Sequence, residues 1–313
     1  MTPTSDAPEQ LEWYKAIRYW IEWRLVQFAT VLVPALPRSC ELGFADFLGW
    51  LVYRIDRKGS RVARANIRVA FPKASEKEID RIGLGSMQNF ARTFLDLFWS
   101  PRLTPENYAQ YFDFEDLRPE EMKGKAAIFN CIHAGNFEWM SHAIGFQGMR
   151  VNIVAQEFKN EKIGPIFDHL RQVSGHSIIH KTKAMLRLFK ELKKNHPVAL
   201  LTDLTLKRED PNVVIKAFGL NLRVTFVHAY LHRKVGAPII PVSNRPLPGG
   251  RYRVTFHPPL ELEEGLSEQE ITQRCWDFYE AWIKETPELW MWAYKYFRER
   301  DPENPEAYPF YAR

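Results

Sequence analysis

Ala126-Ala127-Ile128-Phe129-Asn130-Cys131-Ile132-His133-Ala134-Gly135-Asn136-Phe137-Glu138-Trp139-Met140 is the stretch on which the reading of the whole chain turns. Its first six residues are mostly apolar, as expected of a short strand covered on both faces. A histidine stands where that strand gives out, and Ala-Gly-Asn then leads into a helix-like run. His133 is therefore expected in a strand-to-helix turn at the carboxyl end of a strand, where open α/β sheets bind ligands. Glu138 follows about one and a half helical turns later. A turn at Gly135 would let its carboxylate curl back to the imidazole, giving a general base, His133, with an orienting acid, Glu138.

The chemistry needs both groups. An imidazole accepts and returns a proton near neutral pH, and a carboxylate on its second nitrogen fixes the tautomer and stabilises the imidazolium. No Ser or Cys nucleophile adjoins the histidine. Cys131 falls on the same side of the strand by alternation, and its plainer reading is a small core residue. The simplest scheme is direct transfer, with His133 deprotonating an acceptor hydroxyl that attacks an activated acyl group. Backbone N–H groups at Gly135 and Asn136, opening a helix, would stabilise the oxyanion.

Outward from this stretch the pattern alternates between strand and helix. Strands are expected at Phe112–Phe114, Ala126–Cys131, Val151–Ala155, Ser177–Ile179, Val198–Leu201, Val213–Ile215, Ile239–Ser243 and Tyr252–Phe256. Helices are expected near Phe137–Phe146, Ile163–Val173, Ala184–Lys193 and Thr225–Val235. The fold class is α/β, a mostly parallel central sheet flanked by helices. Right-handed crossovers would bring Asp203, at the end of its strand, to the same rim as His133. Thr225 opens a helix, where it serves as a cap or bonds a ligand oxygen.

Upstream, residues 37–110 are expected to form a helical layer. Ser75 with Glu78 three residues on gives a capping box for a helix ending near Trp99. Arg57, Arg61, Arg64 and Arg68 recur at helical spacing; the default reading is a solvated face, the alternative a contact with phosphate-bearing lipid. Residues 1–36 carry Trp13, Tyr14, Tyr19, Trp20 and Trp23 among Lys15, Arg18 and Arg24, followed by an uncharged run from Leu25 to Pro37. That run is short for a spanning helix, and rings mixed with basic groups suit a helix lying in the headgroup layer. An aromatic-rich helix is expected over Trp276–Phe297, closing an α/β core of residues 111–300, with an irregular tail over 301–313.

Several of these blocks resemble those of the bacterial lipid A biosynthesis acyltransferases, within the wider glycerolipid and lysophospholipid acyltransferases. Ile132-His133-Ala134-Gly135-Asn136-Phe137-Glu138 is similar to their His-x4-acid block. Asn66-Ile67-Arg68-Val69-Ala70-Phe71-Pro72 is similar to their Asn-x-x-x-Ala-Phe-Pro signature. Asp203, Phe218-Gly219, Thr225, Gly236-Ala237-Pro238 and Pro287-Glu288-Leu289-Trp290-Met291-Trp292 follow in the family's order. The resemblance implies transfer of a fatty acyl group from acyl carrier protein, or acyl-CoA, to a lipid hydroxyl, most simply of a lipid A precursor. It implies a hydrophobic anchor and the cytoplasmic face of the bacterial inner membrane. It also implies that Lys159, Lys162 and Arg171 hold phosphates or donor, although Arg171 also reads as a helix C-terminal cation. Three departures leave the acceptor open: Asp203-Leu204 where the family usually has Asp-Gln, Ala217 where it has Phe, and Ala293-Tyr294-Lys295-Tyr296 where it has His-Arg-Arg.

Composition bounds the alternatives. The 313 residues are 45% hydrophobic, enough for a packed core. Cys40, Cys131 and Cys275 are odd in number and widely spaced, which fits a reducing compartment. A net charge of +5 suits an anionic membrane surface or an acidic carrier protein. No nucleic-acid-binding motif accompanies it. His133 and His142 lack a third ligand at a metal spacing, so no metal or other cofactor is expected. Rival readings are acylation of a lysophospholipid or other glycolipid, a thioesterase using water, and a catalytically silent membrane-binding protein.

Overall fold

A computed structural model describes residues 6–116, 124–155, 158–180 and 184–313, with side chains from residue 13 onward. Four helices come first: α1 (Asp6–Ala35), α2 (Arg38–Ile55), α3 (Arg57–Ala70) and α4 (Glu76–Trp99). Proline at 37 and the sequence Phe71-Pro72 interrupt the run, because proline lacks the N–H that continues a helix. The expected capping box is present, Ser75 accepting from the Glu78 amide while the Glu78 carboxylate accepts from the Ser75 amide.

The rest is α/β. The strands are β1 (Phe112–Asp116), β2 (Ile128–Cys131), β3 (Asn152–Ala155), β4 (Ser177–His180), β5 (Val198–Leu201), β6 (Val213–Ala217), β7 (Leu220–Val224), β8 (Ile239–Leu247) and β9 (Arg251–Phe256). Between and after them run α5 (Phe137–Phe146), α6 (Gly164–Arg171), α7 (Ala184–Lys193), α8 (Val227–Val235) and α9 (Glu268–Glu285). Seven strands form one sheet in the order β1-β9-β8-β2-β5-β3-β4. Every pairing in it is parallel except the β8–β9 hairpin.

Alternation along β2 divides the core. Phe129 and Cys131 pack with α4, α5 and α6, whereas Ile128 packs with α7, α8 and α9. A strand buried on both faces must be apolar at consecutive positions, and β2 is buried throughout. Beyond the sheet, a third cluster gathers α3, β6, β7, α9 and the residues that follow α9.

Two expectations need correction. Val213–Ile215 lies outside the main sheet, in an antiparallel ribbon with β7, a strand the sequence reading missed. Phe218 and Gly219 both have positive φ, 48° and 83°, the backbone of a two-residue hairpin turn that matches strand twist. The aromatic helix expected through Phe297 stops at Glu285, before Pro287. Its residues Trp290, Trp292 and Tyr296 are fully buried in an irregular strap instead. Asn66 holds that strap: its amide donates to the carbonyls of Trp292 (2.8 Å) and Tyr294 (2.7 Å) and accepts from the Tyr311 hydroxyl.

The arginine stripe of α3 is partly absorbed by α4. Arg64 pairs with Asp80 and Glu76, Arg68 with Glu76, and Arg61 lies over the Phe310 ring. Helix α1 leaves Trp13, Trp20, Leu25, Phe28 and Val31 exposed while Val33 enters the core. Among the described residues no helix is long and apolar enough to cross a membrane.

Candidate active site

His133 follows β2 directly, on the rim where the parallel strands end. The next residues form a tight turn fixed from three sides. Gly135 sits at φ +58°, and a Cβ there would fall 2.6 Å from the Asn244 carbonyl oxygen, so glycine is required both for backbone conformation and for room. Its N–H donates to the Leu289 carbonyl (2.9 Å), and its carbonyl accepts from Asn89 and Thr93 of α4 (3.0 Å each). The Met291 N–H donates to the His133 carbonyl at 3.2 Å. The strap after α9 thus pairs with the His133 turn like an added strand, with Ala134 bridged to Trp290.

The carboxylate on the imidazole belongs to Asp203. His133 Nδ1 lies 2.7 Å from Asp203 Oδ1, the His133 backbone N–H donates to Oδ2 (3.1 Å), and Trp290 Nε1 donates to the same oxygen (2.9 Å). Asp203 is fully buried, which works to raise its pKa. The charge of His133 and these three donors outweigh burial and hold it below the usual carboxylate value. An ionised Asp203 makes Nδ1 the protonated ring nitrogen and leaves Nε2 as the acceptor.

Glu138 is engaged elsewhere, contrary to the pairing expected from spacing. In the first turn of α5 it meets Arg171, at the end of α6, through two hydrogen bonds of 2.9 and 2.6 Å. The Arg171 guanidinium takes both carboxylate oxygens of Glu138, while His133 meets the residue that follows β5, the parallel neighbour of β2 whose last residue precedes Asp203 by two. The amides expected to receive an oxyanion are also occupied. Gly135 N–H is bound to Leu289, and Asn136 N–H donates to Asn244 Oδ1 at 2.6 Å. Asn136 instead caps α5, accepting from Trp139 N–H (2.9 Å), and donates to Asp96 (2.6 Å).

Asp96 anchors a polar network under the turn that no local pattern signalled. It accepts from the Tyr252 hydroxyl at 2.6 Å and pairs with Arg38, which also meets Glu41 at 2.6 Å and the Gly250 carbonyl at 2.7 Å. One guanidinium between two buried carboxyls leaves an excess of negative charge. Burial and the charge of Asp96 push Glu41 well above the usual carboxylate value, against the pull of Arg38.

His133 stands in the walls of two cavities. The first, about 410 Å³, gathers His133, Glu138, Lys159 and Arg171 at its polar places, and Phe137, Ile144, Ile153 and Phe158 along its apolar length. The second, about 490 Å³, runs from His133 past Leu188, Leu200, Leu204 and Met185 to Thr225. Thr225 does not open the helix as expected but lies one residue before its N-cap, Phe226, and its Oγ1 accepts from the Val227 N–H at 3.3 Å. Lys162 stays with α1, over the Trp23 ring. Cys131 lines the first cavity, but burial pushes its thiol far up, so it is not a thiolate nucleophile. Among the described residues no cluster of His, Cys, Asp and Glu could hold a metal ion.

The sequence as a whole matches known proteins. The profile described as bacterial lipid A biosynthesis acyltransferase fits residues 8–299. The chain belongs to that family. It is therefore an acyltransferase. Among curated proteins it resembles the lipid A biosynthesis lauroyltransferase of Escherichia coli (strain K12), 24% identical over 306 residues that cover 93% of this chain and 95% of the relative. Trp290, whose indole fixes Asp203, lies in the Pro-Glu-Leu-Trp-Met-Trp block common to the resemblance. Its order in the chain was legible, its contact with the dyad was not.

Proposed function

We propose that this acyltransferase moves a fatty acyl group from a thioester, on acyl carrier protein or CoA, to a hydroxyl of a lipid acceptor of the lipid A precursor class. The observation that carries the reading is an imidazole shared by two largely apolar cavities. One chain-bearing donor and one chain-bearing acceptor can then meet at a single base. His133 Nε2 takes the proton of the acceptor hydroxyl as its oxygen attacks the thioester carbonyl. The tetrahedral intermediate expels the thiolate, and the imidazolium returns the proton to that sulfur. Asp203 holds the tautomer and stabilises the imidazolium. With Cys131 neutral, no covalent acyl-enzyme is required.

Glu138 and Arg171 fix one another in the wall of the first cavity. With Lys159 they give it two cationic groups for the polar end of the donor. In place of Gly135 and Asn136, the amides of Phe137 and Glu138, at the positive end of α5, face the developing oxyanion. The exposed rings of α1, set among Arg18 and Arg24, dock the enzyme on the cytoplasmic face of the inner membrane without crossing it.

The test is mass spectrometry of lipids after the purified protein meets acyl carrier thioesters, lauroyl among them, and a bacterial lipid extract. A lipid heavier by one acyl group, absent with His133→Ala, is expected. Release of free fatty acid independent of lipid acceptor would replace transfer with hydrolysis.

A further inference from the structure

A third cavity, about 250 Å³, lies beside the second and shares Thr205 and Leu206 with it. Its walls bring Arg208, Arg223, Arg298 and Arg300 together against two carboxylates, Glu299 and Asp301. Those carboxylates are committed. Glu299 pairs with Arg223 at 2.6 Å, and Asp301 accepts from the Asn221 amide at 2.9 Å. Among the described residues Arg208, Arg298 and Arg300 have no carboxylate partner. Arg298 donates to the Lys295 carbonyl at 3.0 Å and lies over Tyr294, a ring that also lines the second cavity.

We propose that this chamber binds the phosphate monoester of the acceptor's headgroup while its hydrocarbon lies in the second cavity. The proposal rests on the transferase reading above and adds where the acceptor's polar end sits. Guanidinium groups match phosphate oxygens bidentately, and an excess of two positive charges balances a monoester that is nearly dianionic at neutral pH. The reach is right as well. Thr205 and Leu206, which the two cavities share, follow Asp203 within at most about 10 Å of extended chain, and the second cavity continues from them to His133. The chamber is walled by β7 and by the segment after the strap, elements brought together only by the hairpin that leaves the main sheet.

Calorimetric titration of the full-length protein in detergent micelles tests this without catalysis, using a short-chain phosphatidic acid and the matching diacylglycerol. Wild type and His133→Ala are expected to prefer the phosphatidic acid by about tenfold or more, a gain of the size of one charge-assisted contact. Arg298→Gln/Arg300→Gln and, separately, Arg208→Gln are expected to lose that preference. Lys77→Gln/Arg274→Gln, which removes two exposed charges elsewhere, is expected to keep it. Equal loss in that control, or an unchanged preference in the arginine variants, would overturn the assignment. In transfer assays the arginine variants are expected to raise KM for the acceptor with kcat and donor KM kept. A rise in donor KM alone would also overturn it. Absence of transfer by the wild type, with the binding preference intact, would remove the proposed function and leave the phosphate site standing.

Discussion

Replacing Asp203 with asparagine asks the sharpest question of the site. The carboxylate is buried, accepts three hydrogen bonds and faces His133 Nδ1 at 2.7 Å. An amide of the same shape keeps one acceptor oxygen and gains two donor hydrogens. If that oxygen stays with Trp290 and the His133 backbone, the NH2 faces Nδ1, which must then accept. The proton moves to Nε2 and the base is lost. Wrong-tautomer substitutions of this kind cost about 10⁴-fold in kcat, or roughly 5.5 kcal/mol of transition-state stabilisation. The assay is initial-rate acyl transfer from a thioester donor to a lipid acceptor, with melting temperature as a folding control. kcat is expected to fall 10³- to 10⁴-fold at near-constant KM, an order set by the same tautomer argument. Glu138→Gln, which loosens Arg171 in the cavity wall, is expected to act mainly on KM, by about tenfold. A folded Asp203→Asn enzyme within tenfold of wild type, beside a Glu138→Gln enzyme crippled in kcat, would refute the assignment and return the orienting role to Glu138.

Two further outcomes follow from particular contacts. Gly135→Ala combines a left-handed backbone with a Cβ at 2.6 Å from the Asn244 carbonyl, and chemical denaturation is expected to register a loss of about 2–4 kcal/mol; a loss under half a kcal/mol would mean that the turn is not rigid. His228 is fully buried with neither ring nitrogen partnered, and burial lowers its pKa to about 3. Its folded value lies below the unfolded one, so its contribution is present above about pH 6.5 and is lost as pH falls towards 3. Relative to His228→Leu, wild-type stability is expected to drop by about 2 kcal/mol between pH 7 and pH 5; parallel stability curves would show that the ring is not buried neutral.

Much of the α/β pattern was legible because buried parallel strands must be apolar at consecutive positions and the helices between them must show an apolar face. Val198–Leu201 and Ala184–Lys193 were fixed in that way, and so was the capping box at Ser75. The position of His133 on the rim was legible for the same reason: a strand must end before a helix can begin. What local sequence could not specify was the identity of its partner. Glu138 is near in the chain but is held by Arg171, whereas Asp203 is 70 residues away and meets the ring because β5 lies parallel to β2. The same holds for Trp290 on Asp203, Asp96 under Asn136 and the four arginines of the third cavity. Periodicity is a property of neighbours along the chain, and a strand, a cap or a turn can be read from it. A hydrogen bond between distant segments depends on strand order and on where the strap after α9 comes to rest, and only the tertiary structure decides those.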